Sequence, residues 1–281
     1  MEKKQSSGRL CIILAALFWG LAGVCVKSIS WGTMPQIASR SLLSLIVIGV
    51  CMKKTKLKWS KVNILGAVAM SLTGILYVQA IKLTTAGTAI VLQYIAPILV
   101  FLYEVIFRHR KAKLMEILIT VGVFGGIILS FADSLDPTRI VGNILGLLSG
   151  FTFAAQIVIM NDDKADSSDS LMISCLLSFV VTLPFALFDK SLVFDTKNIL
   201  WILILGIFQY GMANVLFGIG IKRVEALESS LLLTLEPIFN PIPVAIFCGE
   251  MMGTKAIIGS VIVIVFITLH SLLPKLEKKK T

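Results

Sequence analysis

The chain has 281 residues and a formal net charge of +10; 57% of the residues are hydrophobic, 15% are charged, and the mean hydropathy is +0.92. A water-soluble globular chain carries roughly 25% charged residues, so an ordinary soluble enzyme, a disordered tail and a fibrous protein are excluded. What remains is an all-α integral membrane protein, with too little sequence outside its apolar stretches for a separate catalytic domain.

In chain order, apolar segments fall at 10–29, 33–52, 62–81, 85–107, 114–131, 140–160, 170–188, 199–220, 225–248 and 254–273. Each has about the 17–25 residues that a helix needs to cross the hydrocarbon. The spacing predicts ten transmembrane helices. A barrel would instead show shorter segments of alternating polarity. The first segment, although it follows Lys3, Lys4 and Arg9, reads as a retained span and not a cleaved leader, because no soluble domain comes after it. The longest connection, 161–169, carries Asp162, Asp163, Asp166 and Asp169 and marks the middle of the chain.

The basic residues lie between segments, as at Lys53–Lys61, Arg108–Lys113 and Lys275–Lys280. That placement fits the cytoplasmic flanks of membrane spans and argues against a nucleic-acid partner. With both termini inside, 19 Lys and Arg fall on the cytoplasmic side and six outside, with Arg40 left within span 2. Both termini are therefore expected in the cytoplasm. The five cysteines stand singly and the two histidines, His109 and His270, lie at span ends, so no metal or other cofactor is expected.

A shift of 140 lays residues 65–104 on 205–244 without a gap, with nine identities in forty, among them Ile81-Lys82 on Ile221-Lys222 and Pro97-Ile98 on Pro237-Ile238. A weaker echo at 134 sets Trp19 opposite Phe153. Two halves of five spans, 1–139 and 140–281, enter the membrane from opposite sides because five is odd. Such a 5+5 inverted-topology repeat is the build of secondary transporters that alternate access around a site between the halves.

The chain resembles the EamA-type members of the drug/metabolite transporter superfamily. The residues that carry the resemblance are Ala16-Leu17-Phe18-Trp19-Gly20, Arg40, Gln93-Tyr94-Ile95-Ala96-Pro97, and Leu235-Glu236-Pro237-Ile238-Phe239 leading to Gly249-Glu250. The resemblance implies transport of a small metabolite, amino acid, amine or drug across the bacterial cytoplasmic membrane. One departure stands out: where the family has a Gly-Glu after span 4, this chain has Arg110.

Polar residues at depth are the site candidates. Glu236 is the twelfth of 24 residues in span 9, where a charged carboxylate costs about 2.5–3.5 kcal/mol on insertion scales. It reads either as a substrate-amine or coupling-proton site, or as a protonated strut for carbonyls that Pro237, Pro241 and Pro243 leave without donors. Arg40 lies at a similar depth and either pairs with Glu236, holds a substrate carboxylate, or satisfies carbonyls. Gln93, Tyr94, Gln209, Tyr210, Asn214 and Asn240 are mid-depth hydrogen-bonding groups gathered around the two repeated prolines. Trp19 and Phe153 are candidate walls for a planar or cationic substrate. Pro97 and Pro237 are the expected helix breaks and gates. Glu104 and Arg108 are four apart at the end of span 4 and are expected to pair. Glycines at GxxxG spacing on span 6 (Gly142, Gly146, Gly150) and span 5 (Gly122, Gly126) mark close helix contacts.

The expected function is secondary transport or exchange of a small polar metabolite, with amino acids and amines the leading cargo. A passive channel or non-catalytic membrane subunit is the alternative, and a membrane-embedded enzyme is disfavoured by the missing catalytic motifs. The expected partners are a small-molecule substrate, a coupling proton and the lipid bilayer. Both a monomer and a homodimer stay open.

Overall fold

The computed structural model describes residues 2–53, 56–84, 86–132, 138–248 and 254–278, and all regular structure among them is helical. The Gly249-Glu250 pair and the basic residues Lys54, Lys279 and Lys280 lie outside the described residues. Helices α1 (Glu2–Trp19) and α2 (Ala22–Ser28) make up the first span. α3 (Thr33–Met52) ends where Lys53 turns left-handed at φ 50°. α4 (Lys61–Leu83) starts at Ser60, whose hydroxyl accepts the Asn63 N–H and so fills one of the free valences of a helix start. α5 (Ala86–Gln93) and α6 (Ala96–Ile106) are two pieces of one apolar segment, broken at Tyr94-Ile95 just before Pro97. α7 (Leu114–Phe131) and α8 (Ile140–Asn161) follow. α9 (Ser167–Leu187) is capped by Asp166, and α10 (Thr196–Leu203) by Asp195.

After α10 the helix widens into a π-helical segment, Ile204–Met212, before narrowing again as α11 (Ala213–Gly220). The Ser44 hydroxyl donates to the Gly206 carbonyl inside this segment at 2.8 Å. The next apolar segment comprises α12 (Ala226–Leu233), α13 (Leu235–Phe239) and α14 (Pro241–Cys248), and α15 (Thr254–Lys278) closes the described chain. Seven helical stretches among the described residues have the length and apolarity of a membrane span. Of the other three expected segments, α7 is one helix of 18 residues and α15 one of 25, whereas 225–248 is no continuous span. Pro237, Pro241 and Pro243 each remove an amide donor, and the helix is cut on either side of a five-residue piece.

The packing is that of a protein with an oily outside. Ile46, Val50, Val121, Phe185 and Val265 are exposed, whereas Gln36, Ser44, Thr88, Asn214 and Ser229 are wholly buried. Patches of that extent on the surface require lipid and not water around them. Inside, α4 packs on α8 and α9, α3 on α9 and on the π-helical segment, α1 on α11 and α12, α5 and α6 on α8, and α7 on α15. Glycines let these helices approach. A Cβ at Gly142 would sit 2.8 Å from the backbone of Leu83, and one at Gly150 would sit 2.8 Å from the Gln93 carbonyl. Gly126 likewise meets α15, where a Cβ would lie 3.0 Å from the Gly259 carbonyl. The spaced glycines of both segments therefore serve as contact faces.

Candidate functional site

Where α1, α3, α4, α8, the two broken helices and the π-helical segment meet, they line a cavity of about 50 Å³. Trp19, Arg40, Gln93, Gln209, Tyr210 and Glu236 line it, as do Phe153 and Gln156 on α8 and Met70, Thr73, Gly74 and Tyr77 on α4. The π-helical stretch is what sets Gln209 and Tyr210 in the wall. Such segments are rare and recur at functional sites.

Three polar atoms of the lining are buried and have no hydrogen-bond partner among the described residues: Arg40 Nε, Tyr77 Oη and Gln209 Oε1. Gln209 spends its amide on the Trp19 carbonyl, 3.3 Å away, and keeps the oxygen free. A buried polar atom left unpaired costs about 1–3 kcal/mol. Three of them on three elements around one cavity mark a place that accepts polar guests.

Arg40 is held from two sides. Its Nη2 donates to the Gly74 carbonyl at 3.0 Å, and its guanidinium carbon lies 4.4 Å from the centre of the Tyr210 ring. It forms no ion pair with Glu236, although both line the cavity. The alternative in which the two charges neutralise each other is therefore set aside: α4 and the π-helical segment take up the guanidinium first.

Glu236 is 4% exposed. Its Oε2 lies 2.8 Å from the Tyr94 hydroxyl, and that hydroxyl lies 2.6 Å from the Leu233 carbonyl. Leu233 is four residues before Pro237 and so has lost its helical donor. Tyr94, from the other broken helix, repairs it, which corrects the reading of Glu236 as the strut for that carbonyl. Of the aromatic candidates, Trp19 and Phe153 line the cavity and meet edge-on at 6.0 Å, and Phe153 meets Tyr94, which is not in the lining, at 6.0 Å.

Not every candidate is brought in. Asn214 is wholly buried on α11, and Asn240 packs against Gly23; neither is in the lining. The α4 contribution was missed, although its signal was present. Met70, Thr73 and Tyr77 recur at helical spacing on one face, beside Gly74. Gln156 follows Phe153 by three residues and could have been found the same way. Glu104 pairs with Arg110 at 2.6 Å, and Arg108 reaches Asp162 at 3.0 Å. The expected Glu104–Arg108 pair fails because α6 stops at Ile106 and His109 turns the chain back at φ 51°, which returns Arg110 to Glu104. Arg110, the departure from the family pattern, is thereby clamped between Glu104 and Glu116.

A helical body with an apolar exterior, broken helices and a polar cavity between them defines a multi-pass membrane protein of the transporter class. The model of the EamA-like transporter family matches residues 6–132 and again residues 140–272. The chain belongs to that family, and so is a membrane transporter by family. It is similar to an uncharacterized transporter of Archaeoglobus fulgidus, 24% identical over 262 residues that cover 92% of this chain and 93% of the relative. It is also similar to the uncharacterized transporter YwfM of Bacillus subtilis, 22% identical over 283 residues, covering 96% and 95%. A solved crystal structure shares the fold with a TM-score of 0.81 at 17% identity, covering 96% of this chain and 98% of the other.

Proposed function

We propose that the protein is a secondary transporter or exchanger of small amino acids or amines, alternating access around the cavity that holds Arg40 and Glu236. The observation that carries this reading is the set of unpartnered polar atoms there, Arg40 Nε, Tyr77 Oη and Gln209 Oε1. A guanidinium that keeps a free donor suits a substrate carboxylate, and a carboxyl on another wall suits an ammonium group. Trp19, Phe153 and Tyr210 supply apolar and cation-binding faces between them. At about 50 Å³ the cavity is far below the ~300 Å³ of an ordinary ligand pocket. The proposed cycle therefore passes through a contracted state that opens at one end to load.

The proposal includes ten spans in two inverted halves, 1–139 and 140–281, with both termini in the cytoplasm. Two observations support it beyond the double family match. The packing recurs between halves: α4 on α8 has its counterpart in α11 on α1, and α5 and α6 on α8 in α12 and α13 on α1. The breaks before Pro97 and Pro237 also fall at the same offset as the sequence repeat.

Reconstitution in liposomes tests the reading, with a labelled panel of amino acids and primary amines outside and the unlabelled compound inside. Saturable counterflow supports exchange. Flux that does not saturate and shows no counterflow favours the channel reading and overturns this one.

A further inference from the structure

The hydrogen count at Tyr94 says more than its distances. A tyrosine hydroxyl has one hydrogen to donate. Its oxygen lies 2.6 Å from the Leu233 carbonyl and 2.8 Å from Glu236 Oε2. One O–H cannot point along two such bonds with good alignment. A carboxylate Glu236 would leave two acceptors competing for one hydrogen. A carboxylic acid resolves the arrangement: its O–H donates to Tyr94 Oη, and Tyr94 donates to Leu233.

We infer that Glu236 holds a proton in this state, and that a substrate ammonium group exchanges with that proton through a switch of the Tyr94 hydroxyl. The inference rests on the transporter reading above and supplies its coupling ion. The step balances without any other reactant. The O–H bond of the acid breaks, the proton passes to water on the open side, and the carboxylate left behind pairs with the incoming R–NH3⁺. The groups able to titrate or carry charge around Glu236 are Tyr94, Tyr77 from α4 and Arg40 from α3. α1, α8 and the π-helical segment add no acid or base to the cavity lining beyond the Tyr210 phenol.

The exchange reaches the backbone through Tyr94. Once Glu236 is a carboxylate it only accepts, and a bond to a charged acceptor is stronger than one to a neutral carbonyl. Tyr94 then turns from Leu233 to Glu236. The Leu233 carbonyl loses its one side-chain donor at the break between α12 and α13, where Pro237 offers no N–H. The charge state of one side chain is thus tied to the hinge of a broken helix.

Infrared difference spectroscopy on the purified protein in lipid nanodiscs, without substrate, tests the proton directly. At neutral pH the wild type should show the C=O stretch of a buried carboxylic acid that is lost on alkaline titration. Glu236→Gln should remove the band, and Tyr94→Phe should keep it but move it to higher frequency, because the acid has lost its acceptor. If Glu236→Gln does not fold, the shift in Tyr94→Phe still decides. No such band in the wild type, or a band unmoved by Tyr94→Phe, overturns the inference. In vesicles with an entrapped pH dye, counterflow of a labelled amino acid or amine without any proton movement also overturns it while leaving the transporter reading intact. A band that behaves as expected in a protein that transports nothing would instead leave the proton assignment standing and remove the transporter reading.

Discussion

The breaks in the two discontinuous helices start alike and end differently. In the first, α5 stops at Gln93 and α6 resumes at Ala96 ahead of Pro97; in the second, α12 stops at Leu233 and α13 resumes at Leu235 ahead of Pro237. The offset of 140 sets Ala96 opposite Glu236 and Tyr94 opposite Thr234. The first helix then runs on as an eleven-residue piece, whereas the second stops after five and meets Pro241 and Pro243. The Thr234 hydroxyl turns inward to the Leu231 carbonyl, while Tyr94 reaches across to the other break. A repeated backbone interruption supplies the scaffold, and unlike side chains at the same register supply the chemistry. One break brings the hydroxyl, and the other brings the acid and the carbonyl that the hydroxyl satisfies.

The sharpest way to break this asymmetry is Glu236→Gln. Glutamine keeps the shape and still hydrogen-bonds Tyr94 but cannot ionise. Folded yield should stay near wild type while counterflow of amino acids or amines falls about 10- to 100-fold, matching the loss of a charge-assisted bond worth about 1.5–3 kcal/mol. Normal transport with an unchanged pH profile would remove Glu236 from the mechanism.

Pro237→Ala and Pro97→Ala set the two breaks against each other directly. Restoring an N–H at 237 gives the Leu233 carbonyl a helical donor that competes with Tyr94, so transport should slow several-fold. Pro97 sits in the first turn of α6, where its missing N–H is already spare, and Pro97→Ala should change thermal stability by less than about 1 kcal/mol. Equal effects of the two substitutions would mean that the halves use their breaks in the same way.

A smaller effect is expected at the entrance to the second broken helix, where Arg9 on α1 pairs with Glu228 on α12 at 2.5 Å. Glu228→Gln should lower the melting temperature by a few degrees and make it less dependent on salt, since it removes a half-buried pair worth about 1 kcal/mol. The smallest effect concerns pH. The Lys164 backbone N–H, with Arg108 beside it, holds the Asp162 carboxyl below its ordinary range. Its folded pKa is depressed, so its stabilising contribution is present above the unfolded value of about 3.9 and is lost as pH falls through the folded one. Asp162→Asn should flatten that acid limb in a thermal melt and leave the neutral region nearly unchanged.

Much of the site is legible in the sequence because burial in lipid is severe. Glu236, Arg40, Gln93, Gln209 and Tyr210 stand out as polar groups in apolar stretches, and all five line the cavity. Asn214 and Asn240 stand out equally but are turned to other neighbours, since depth along a helix says nothing about azimuth. Thr73 and Tyr77 escape notice because a threonine or tyrosine within a span is cheap to bury and signals little by itself.

What the sequence alone determined is everything set by hydropathy and local chemistry: helices in a membrane, their order, the repeated prolines and the breaks they force. The pairing of side chains came only with tertiary structure. Arg40 goes to Gly74 and Tyr210 instead of Glu236, Arg110 takes Glu104 from Arg108, and the π-helical widening turns Gln209 and Tyr210 inward. Apolar periodicity records which residues avoid water. The partner a buried polar group finds depends on the rotation and approach of helices far apart in the chain, and those are decided by packing.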